Sequence, residues 1–155
     1  MELTLKKIRE IKMDTDPYYS DLFNLLKNQM YDIGAVESIE KIRASVKNAL
    51  KPESRAKFFL LYETDQKPIG LMFFNICSGI ESGGDYIWLN EIQIIKSHRG
   101  LGNGKYFLQF LINWAKKNEI KYISTMTSPQ NFHSRNLFKS RGFDVSNSKW
   151  MELTI

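Results

Sequence analysis

Three apolar runs follow one another in the middle of the chain, Phe58 to Tyr62, Ile69 to Ile76 and Tyr86 to Ile95, with only turn-forming stretches between them. Glu63-Thr64-Asp65-Gln66-Lys67-Pro68 separates the first pair, and the glycine-containing segment from Ser78 to Asp85 separates the second. Connections this short join strands as hairpins, so three antiparallel strands in series are expected. A chain with this middle builds a sheet, and its flanks must supply whatever covers that sheet.

The flanks read as helical. Asp16-Pro17 is a helix start signal ahead of Leu22, Phe23, Leu25, Leu26 and Met30, and residues 36 to 50 carry Ile39, Ile42, Val46 and Leu50 at intervals of three and four. Downstream, Phe107, Leu108, Leu111, Trp114 and Ala115 share a helical face, and Lys121 to Met126 reads as a strand. A strand, helix, strand unit with short connections places its two strands parallel as near neighbours. A last helix from Asn131 to Ser140 stops at Arg141-Gly142, where glycine takes the left-handed position. Residues 2 to 12 read as an entering strand, and Phe143 to Ile155 as one or two closing strands. The class is α+β, a mixed sheet flanked by helices.

At 155 residues, with 43% hydrophobic and 13% aromatic content and no internal repeat or linker, one domain over residues 1–155 is expected. The formal charge of +5 suits an acidic ligand without choosing among phosphates, anionic lipids and nucleic acid. Cys77 is the only cysteine, which excludes an intrachain disulfide scaffold and suits a reducing cytoplasm. It lies in the run Leu71 to Cys77 and reads as a small buried hydrophobe. Met1 to Lys7 alternates polar and apolar residues, unlike a signal peptide, and no stretch approaches the roughly 18 apolar residues of a membrane span. A cytoplasmic protein with no membrane partner is expected.

Between the third strand and the following helix lies Lys96-Ser97-His98-Arg99-Gly100-Leu101-Gly102-Asn103-Gly104-Lys105. A glycine-rich turn feeding a helix N-terminus is an anion site: exposed N–H groups and the macrodipole point outward, and glycine lets phosphate oxygens approach the backbone. Arg99 and Lys105 add full charges, and His98 beside them is assigned to phosphate support. Two familiar phosphate loops do not fit. The Walker pattern would need Gly where Arg99 stands and Ser or Thr where Tyr106 stands. The dinucleotide fingerprint starting at Gly100 and Gly102 would need Gly where Lys105 stands.

The segment resembles the acetyl-CoA-binding turn of the GNAT superfamily of N-acetyltransferases, with Arg99, Gly102 and Gly104 at its fixed positions, Ile92-Gln93-Ile94 on the strand before it and Phe107-Leu108 on the helix after it. A second motif of that family, Asn, two residues, Ala, three residues, Tyr, three residues, Gly-Phe, is matched in spacing from Asn131 to Phe143, with Ser134 for Ala and Phe138 for Tyr. The resemblance covers nearly the whole chain. It implies a three-layer α/β/α fold whose central parallel strands splay apart, so that the cofactor pairs with the backbone of Ile92 and Ile94. It further implies that Arg99, Gly100, Leu101, Gly102, Asn103, Gly104 and Lys105 hold the pyrophosphate, that Asn131 lies along the pantetheine or pyrophosphate, and that Phe138 lies near the sulfur. Acetyl-CoA is then the cosubstrate, an amine the acceptor, and no metal is required.

Transfer from a thioester to an amine needs proton removal from the amine and stabilisation of an oxyanion. The resemblance points to Glu91, immediately before Ile92 on the strand where family members often place a glutamate that acts through water, as the general-base candidate, and to the backbone N–H near Ile94 as the oxyanion contact. Phe138 stands where the family places a tyrosine acid and cannot donate a proton. The thiolate then leaves unprotonated or takes its proton from water, or His133 or Tyr122 substitutes, or the chain is a CoA-binding sensor with little transfer. The resemblance implies an acceptor pocket shaped by the first two helices, the loop between them and the later strands, here Met30-Tyr31-Asp32-Ile33-Gly34 with Asp85 and Glu91 as attractors for a cationic amine, while Tyr31 and Trp88 read as core aromatics. Net charge alone suggests nucleic acid, and without an aromatic-interleaved basic stripe none is expected. A monomer or homodimer is expected.

Overall fold

The computed structural model of the chain describes residues 6–34 and 38–155. Its elements are β1 (Lys7–Ile11), α1 (Tyr19–Asp32), α2 (Ile39–Ala49), β2 (Ala56–Thr64), β3 (Lys67–Gly79), β4 (Gly84–Ile94), a single 3₁₀ turn (Lys96–His98), α3 (Asn103–Lys117), β5 (Ile123–Thr125) and α4 (Phe132–Lys139). The strands lie in chain order, β1-β2-β3-β4-β5; the first four are antiparallel, and β5 joins β4 in parallel. The expected entering strand and second helix are present, except that their first residues, 2–5 and 36–37, lie outside the described residues.

The apolar runs are continuous because this sheet is covered on both faces, so either parity of a strand must be apolar. Phe58, Leu60 and Tyr62 of β2 and Leu71 of β3 pack with Leu22, Leu25 and Leu26 of α1 and Ile42 and Val46 of α2. Phe59, Leu61, Met72, Phe74, Ile87 and Leu89 pack on the other face with Phe107, Leu108 and Leu111 of α3 and Phe138 of α4. Each fully buried side chain of this size stabilises the fold by about 1.5–3 kcal/mol relative to exposure. The layers are α1 and α2, the sheet, then α3 and α4. No helix among the described residues is long and apolar enough to cross a membrane.

Local chemistry sets the helix ends. The Asp16 carboxylate accepts from the Tyr18 N–H at 2.9 Å, and the Ser38 hydroxyl caps α2 by accepting from the Lys41 N–H at 3.1 Å. Asn131 caps α4 by accepting from the Ser134 N–H at 3.1 Å. At the other end of α4 Gly142 has φ +84°, and the Phe143 N–H returns to the Phe138 carbonyl at 3.2 Å. The Phe138 and Phe143 rings meet with centroids 5.2 Å apart, the apolar contact that accompanies this type of helix stop.

The expected closing strands do not form: residues 143–155 carry no regular structure. β5 offers only three residues of ladder, and Asp144, Ser146, Asn147 and Ser148 favour local bonding. The Ser146 hydroxyl accepts from the Ser148 N–H at 3.0 Å, an alternative to the sheet ladder. The tail meets the sheet through Trp150, stacked on Trp88 at 5.9 Å and 19°. Cys77 was expected in the core and is instead half-buried toward the end of β3.

Gly70 admits β4 at close range. A Cβ there would stand 2.8 Å from Ile94 Cδ1 and 2.9 Å from the Gln93 carbonyl oxygen, and a backbone atom does not yield cheaply. Gly70→Ala is expected to lower unfolding free energy in urea by about 1–3 kcal/mol. Ile80→Ala, at a fully exposed side chain, is expected to stay within about 0.5 kcal/mol.

Candidate active site

β4 carries the site, and a bulge in it decides where Glu91 points. Phe74 pairs with Leu89 and Phe73 with Glu91, which leaves Asn90 as an extra residue. Ile87 and Leu89 face α3 before the bulge, and Ile92 and Ile94 face α3 after it. Strict alternation would have driven the Glu91 carboxylate into that apolar layer. The extra residue turns it to the α1 face instead, and the Asn90 side chain is held by the Asn75 amide at 2.7 Å.

On that face α1 receives it. Gln29 donates to the Glu91 carboxylate at 2.5 Å, and Gln93, two residues on, donates to the Leu25 carbonyl at 3.1 Å. Glu91 is half-buried, and burial raises its pKa above the usual carboxylate value while the Gln29 bond partly opposes the rise. A carboxyl shifted toward neutrality is suited to taking a proton.

Beyond the bulge β4 parts from β5. Their pairing covers Ile87 with Ile123, Trp88 with Ser124 and Leu89 with Thr125, and stops there. Ile92 and Ile94 therefore run on with no β5 partner, as expected. The Ile94 carbonyl is not left unpartnered, however, because Arg99 Nε donates to it at 2.7 Å.

The glycine turn follows. Gly100 and Gly102 have φ of +74° and +81°, a region that costs other residues roughly 1–2 kcal/mol, and Gly102 is the N-cap of α3. The first N–H groups of α3 have no partner inside the helix, which makes the turn an anion-binding end. Gly104 sits against α4, where a Cβ would stand 3.4 Å from Leu137. Leu101 and Lys105 are exposed. Asn103 turns inward, 4% exposed, and donates to the His98 carbonyl at 2.9 Å, so its side chain ties the turn and only its backbone faces out.

Other expected residues are placed differently. His98 is buried with its ring between the Ser97 hydroxyl at 2.7 Å and the Glu63 carboxylate at 3.2 Å, so it braces the turn rather than facing a phosphate. Asp85 is ion-paired with Arg55, which holds its carboxyl below the usual range, and it lies near the opposite end of β4 from Glu91. Phe138 is 7% exposed within the α3-side core. Asn131 spends its side-chain oxygen on the α4 cap, and His133 is exposed. Tyr31, at 70% exposure, and Trp88, half-buried, are surface-facing and not core aromatics.

One residue, Gln29, was not singled out from the sequence, and another, Asp32, was expected in the acceptor region and instead holds the turn. Asp32, at the end of α1, binds Lys96 at 2.9 Å and Arg99 at 3.5 Å, latching the helix to the glycine turn. Gln29 fixes Glu91. The available signal was a polar residue on an apolar stripe, since Leu22, Leu25, Gln29 and Asp32 recur at helical spacing.

Because the folded chain holds the Glu91 proton more tightly than the unfolded one, this group's stabilising contribution is present below its unfolded pKa, near 4.5, and is lost as pH rises through the folded value. Glu91→Gln should therefore gain in Tm over the parent as pH is raised from about 4 to about 7. An equal Tm difference at both pH values would contradict the burial of this carboxyl.

The model of the acetyltransferase (GNAT) family matches residues 19–143. Among solved structures, a possible acetyltransferase from Clostridium difficile 630 aligns with TM-score 0.82 and 18% identity, over 97% of this chain and 98% of that one. A predicted acetyltransferase from Clostridium acetobutylicum, solved with acetyl-CoA, aligns with TM-score 0.75 and 20% identity over 97% and 96%. The aminoglycoside N-acetyltransferase AAC(6')-Iy in complex with CoA aligns with TM-score 0.77 and 17% identity over 97% and 95%. Comparison with curated proteins found no match. With the family's model spanning the chain from α1 to Phe143, the protein belongs to the GNAT acetyltransferases, a family of acyltransferases.

Proposed function

We propose that the chain transfers an acetyl group from acetyl-CoA to an amine by direct attack, with Glu91 as general base. The observation that carries this is the opening of β4 away from β5 after Leu89, which sets a half-buried carboxylate at one end of a strand segment free on its β5 side and a helix N-terminus at the other. Solved structures of the same fold that hold acetyl-CoA or CoA support the choice of cosubstrate.

In this reading the pyrophosphate lies on the amides of Gly102 to Lys105, with Gly100 and Leu101 shaping the approach and Lys105 and Arg99 supplying charge. The unpaired edge of Ile92 and Ile94 takes the pantetheine amides as a strand would be taken. Asn131 and Phe138 contribute through α4, the first by capping it and the second by anchoring it to α3. The neutral amine attacks the thioester carbonyl and Glu91 accepts the proton that the nitrogen loses. The tetrahedral intermediate collapses to the amide, and the thiolate of CoA leaves and takes its proton from water. Phe138 has no hydroxyl to give. Tyr122 pairs its carbonyl with the Ile87 N–H, on the far side of the paired segment from the splay, which removes it from this role.

Calorimetry with acetyl-CoA tests the cosubstrate site: Arg99→Ala and Gly102→Asp should each weaken binding by about 10- to 100-fold, the worth of a charge-assisted hydrogen bond. Undiminished binding in both would overturn the assignment. Thiol release across an amine panel tests the chemistry. Glu91→Gln should lower kcat by about 10²- to 10⁴-fold and remove the pH dependence set by the carboxyl. An unchanged profile would return Glu91 to a structural role. Acetyl-CoA binding without turnover on any amine would favour a CoA sensor, the reading that Phe138 in place of the family tyrosine supports.

A further inference from the structure

Along the same strand and face as Glu91, but past the bulge toward the β3–β4 turn, lies a pocket of about 490 Å³. Register places its walls. Phe73 pairs with Glu91, Asn75 with Trp88 and Cys77 with Tyr86, and alternate residues of β3 share a face, so Glu91, Trp88 and Tyr86 all look toward the α1 side. Ser124 pairs with Trp88 across β5, and Tyr122, two residues earlier, completes that wall.

The wall chemistry is specific. Tyr86 and Tyr122 meet edge to face with centroids 6.0 Å apart, and Trp88 is held from one side by the stacked ring of Trp150. Glu81 is the one charged residue among those lining the pocket, and it makes no ion pair among the described residues. Arg55, which approaches Ser78 at 3.4 Å, is itself paired with Asp85. Three aromatic rings with an unpaired carboxylate attract a cation through ring quadrupoles and charge together. The turn carrying Glu81 forms the end wall farthest from Glu91 and is braced by the Ser82 hydroxyl, which donates to the Gly84 carbonyl at 2.7 Å.

Across the bulge Trp88 stands two register positions and Tyr86 four from Glu91, opposite Asn75 and Cys77 where Glu91 is opposite Phe73, so the pocket lies about 7–14 Å along the strand from that carboxylate. We infer that it is a subsite for a second, terminal ammonium of the acceptor, and that the acceptor is a linear polyamine whose far end is read by Tyr86, Trp88, Tyr122 and Glu81. This deepens the acetyl-transfer reading, on which it rests for the chemistry at Glu91 but not for what the pocket binds.

The test uses the full chain with acetyl-CoA and two probes, spermidine and n-butylamine. In the parent, kcat/KM should favour spermidine, and in Glu81→Lys and Tyr122→Ala the spermidine-to-butylamine ratio should fall by at least about tenfold, the scale of one lost charge-assisted contact. Spermidine should also change Trp88 fluorescence in the parent and not in Glu81→Lys. An unaltered ratio in both variants would overturn the inference. So would a lysine-containing peptide preferred over spermidine and equally insensitive to Glu81→Lys. If neither amine is acetylated, acetyl transfer to amines of this class fails, and calorimetry with spermidine still decides the pocket: binding lost in Glu81→Lys supports it, and no binding to the parent overturns it.

Discussion

The site depends on one extra residue in β4. An antiparallel strand buried on both faces has no position for a carboxylate, because either parity meets an apolar layer. The bulge at Asn90 breaks the parity between Leu89 and Ile92 and releases one side chain, Glu91, toward the face where α1 presents Gln29. The same irregularity marks where β4 stops pairing with β5. The placement of the Glu91 carboxylate, the splay and the free strand edge thus share one cause.

Around this point the elements are tied by polar contacts that compensate for burial. α1 reaches β4 through Gln29 and Gln93 and reaches the glycine turn through Asp32, so helix, strand and turn are linked in one network. Asn103 and His98 brace the turn from inside, leaving its outward amides free of side-chain competition. The motif from Asn131 to Phe143 acts in the same structural way: its Asn caps α4, its Gly ends it, and its two aromatics, Phe138 and Phe143, close the end against the α3 layer. A phenylalanine serves that purpose as well as a tyrosine does, since the ring supplies the contact.

Most of the architecture was legible because burial on both faces writes long apolar runs, and the helices carry clear spacings. The positions of α1 to α4 and the hairpins followed from these signals. The closing strands did not, since the serine and asparagine residues after Phe143 bond locally and β5 offers a ladder of only three residues. His98 and Asp85 face away from their expected roles because distant partners claim their side chains. Their partners, Glu63 and Arg55, lie 35 and 30 residues away.

The sequence by itself determined the layered α+β fold, the glycine turn that opens α3 and the strand that carries Glu91, because each is a local pattern of apolar period, glycine and charge. The tertiary structure decided which way those groups face. Gln29 meets Glu91 across 62 residues, and Asp32 meets Arg99 across 67. Side-chain direction depends on a bulge register and on how a helix docks, and both are fixed only when distant segments compete to bury the same surface.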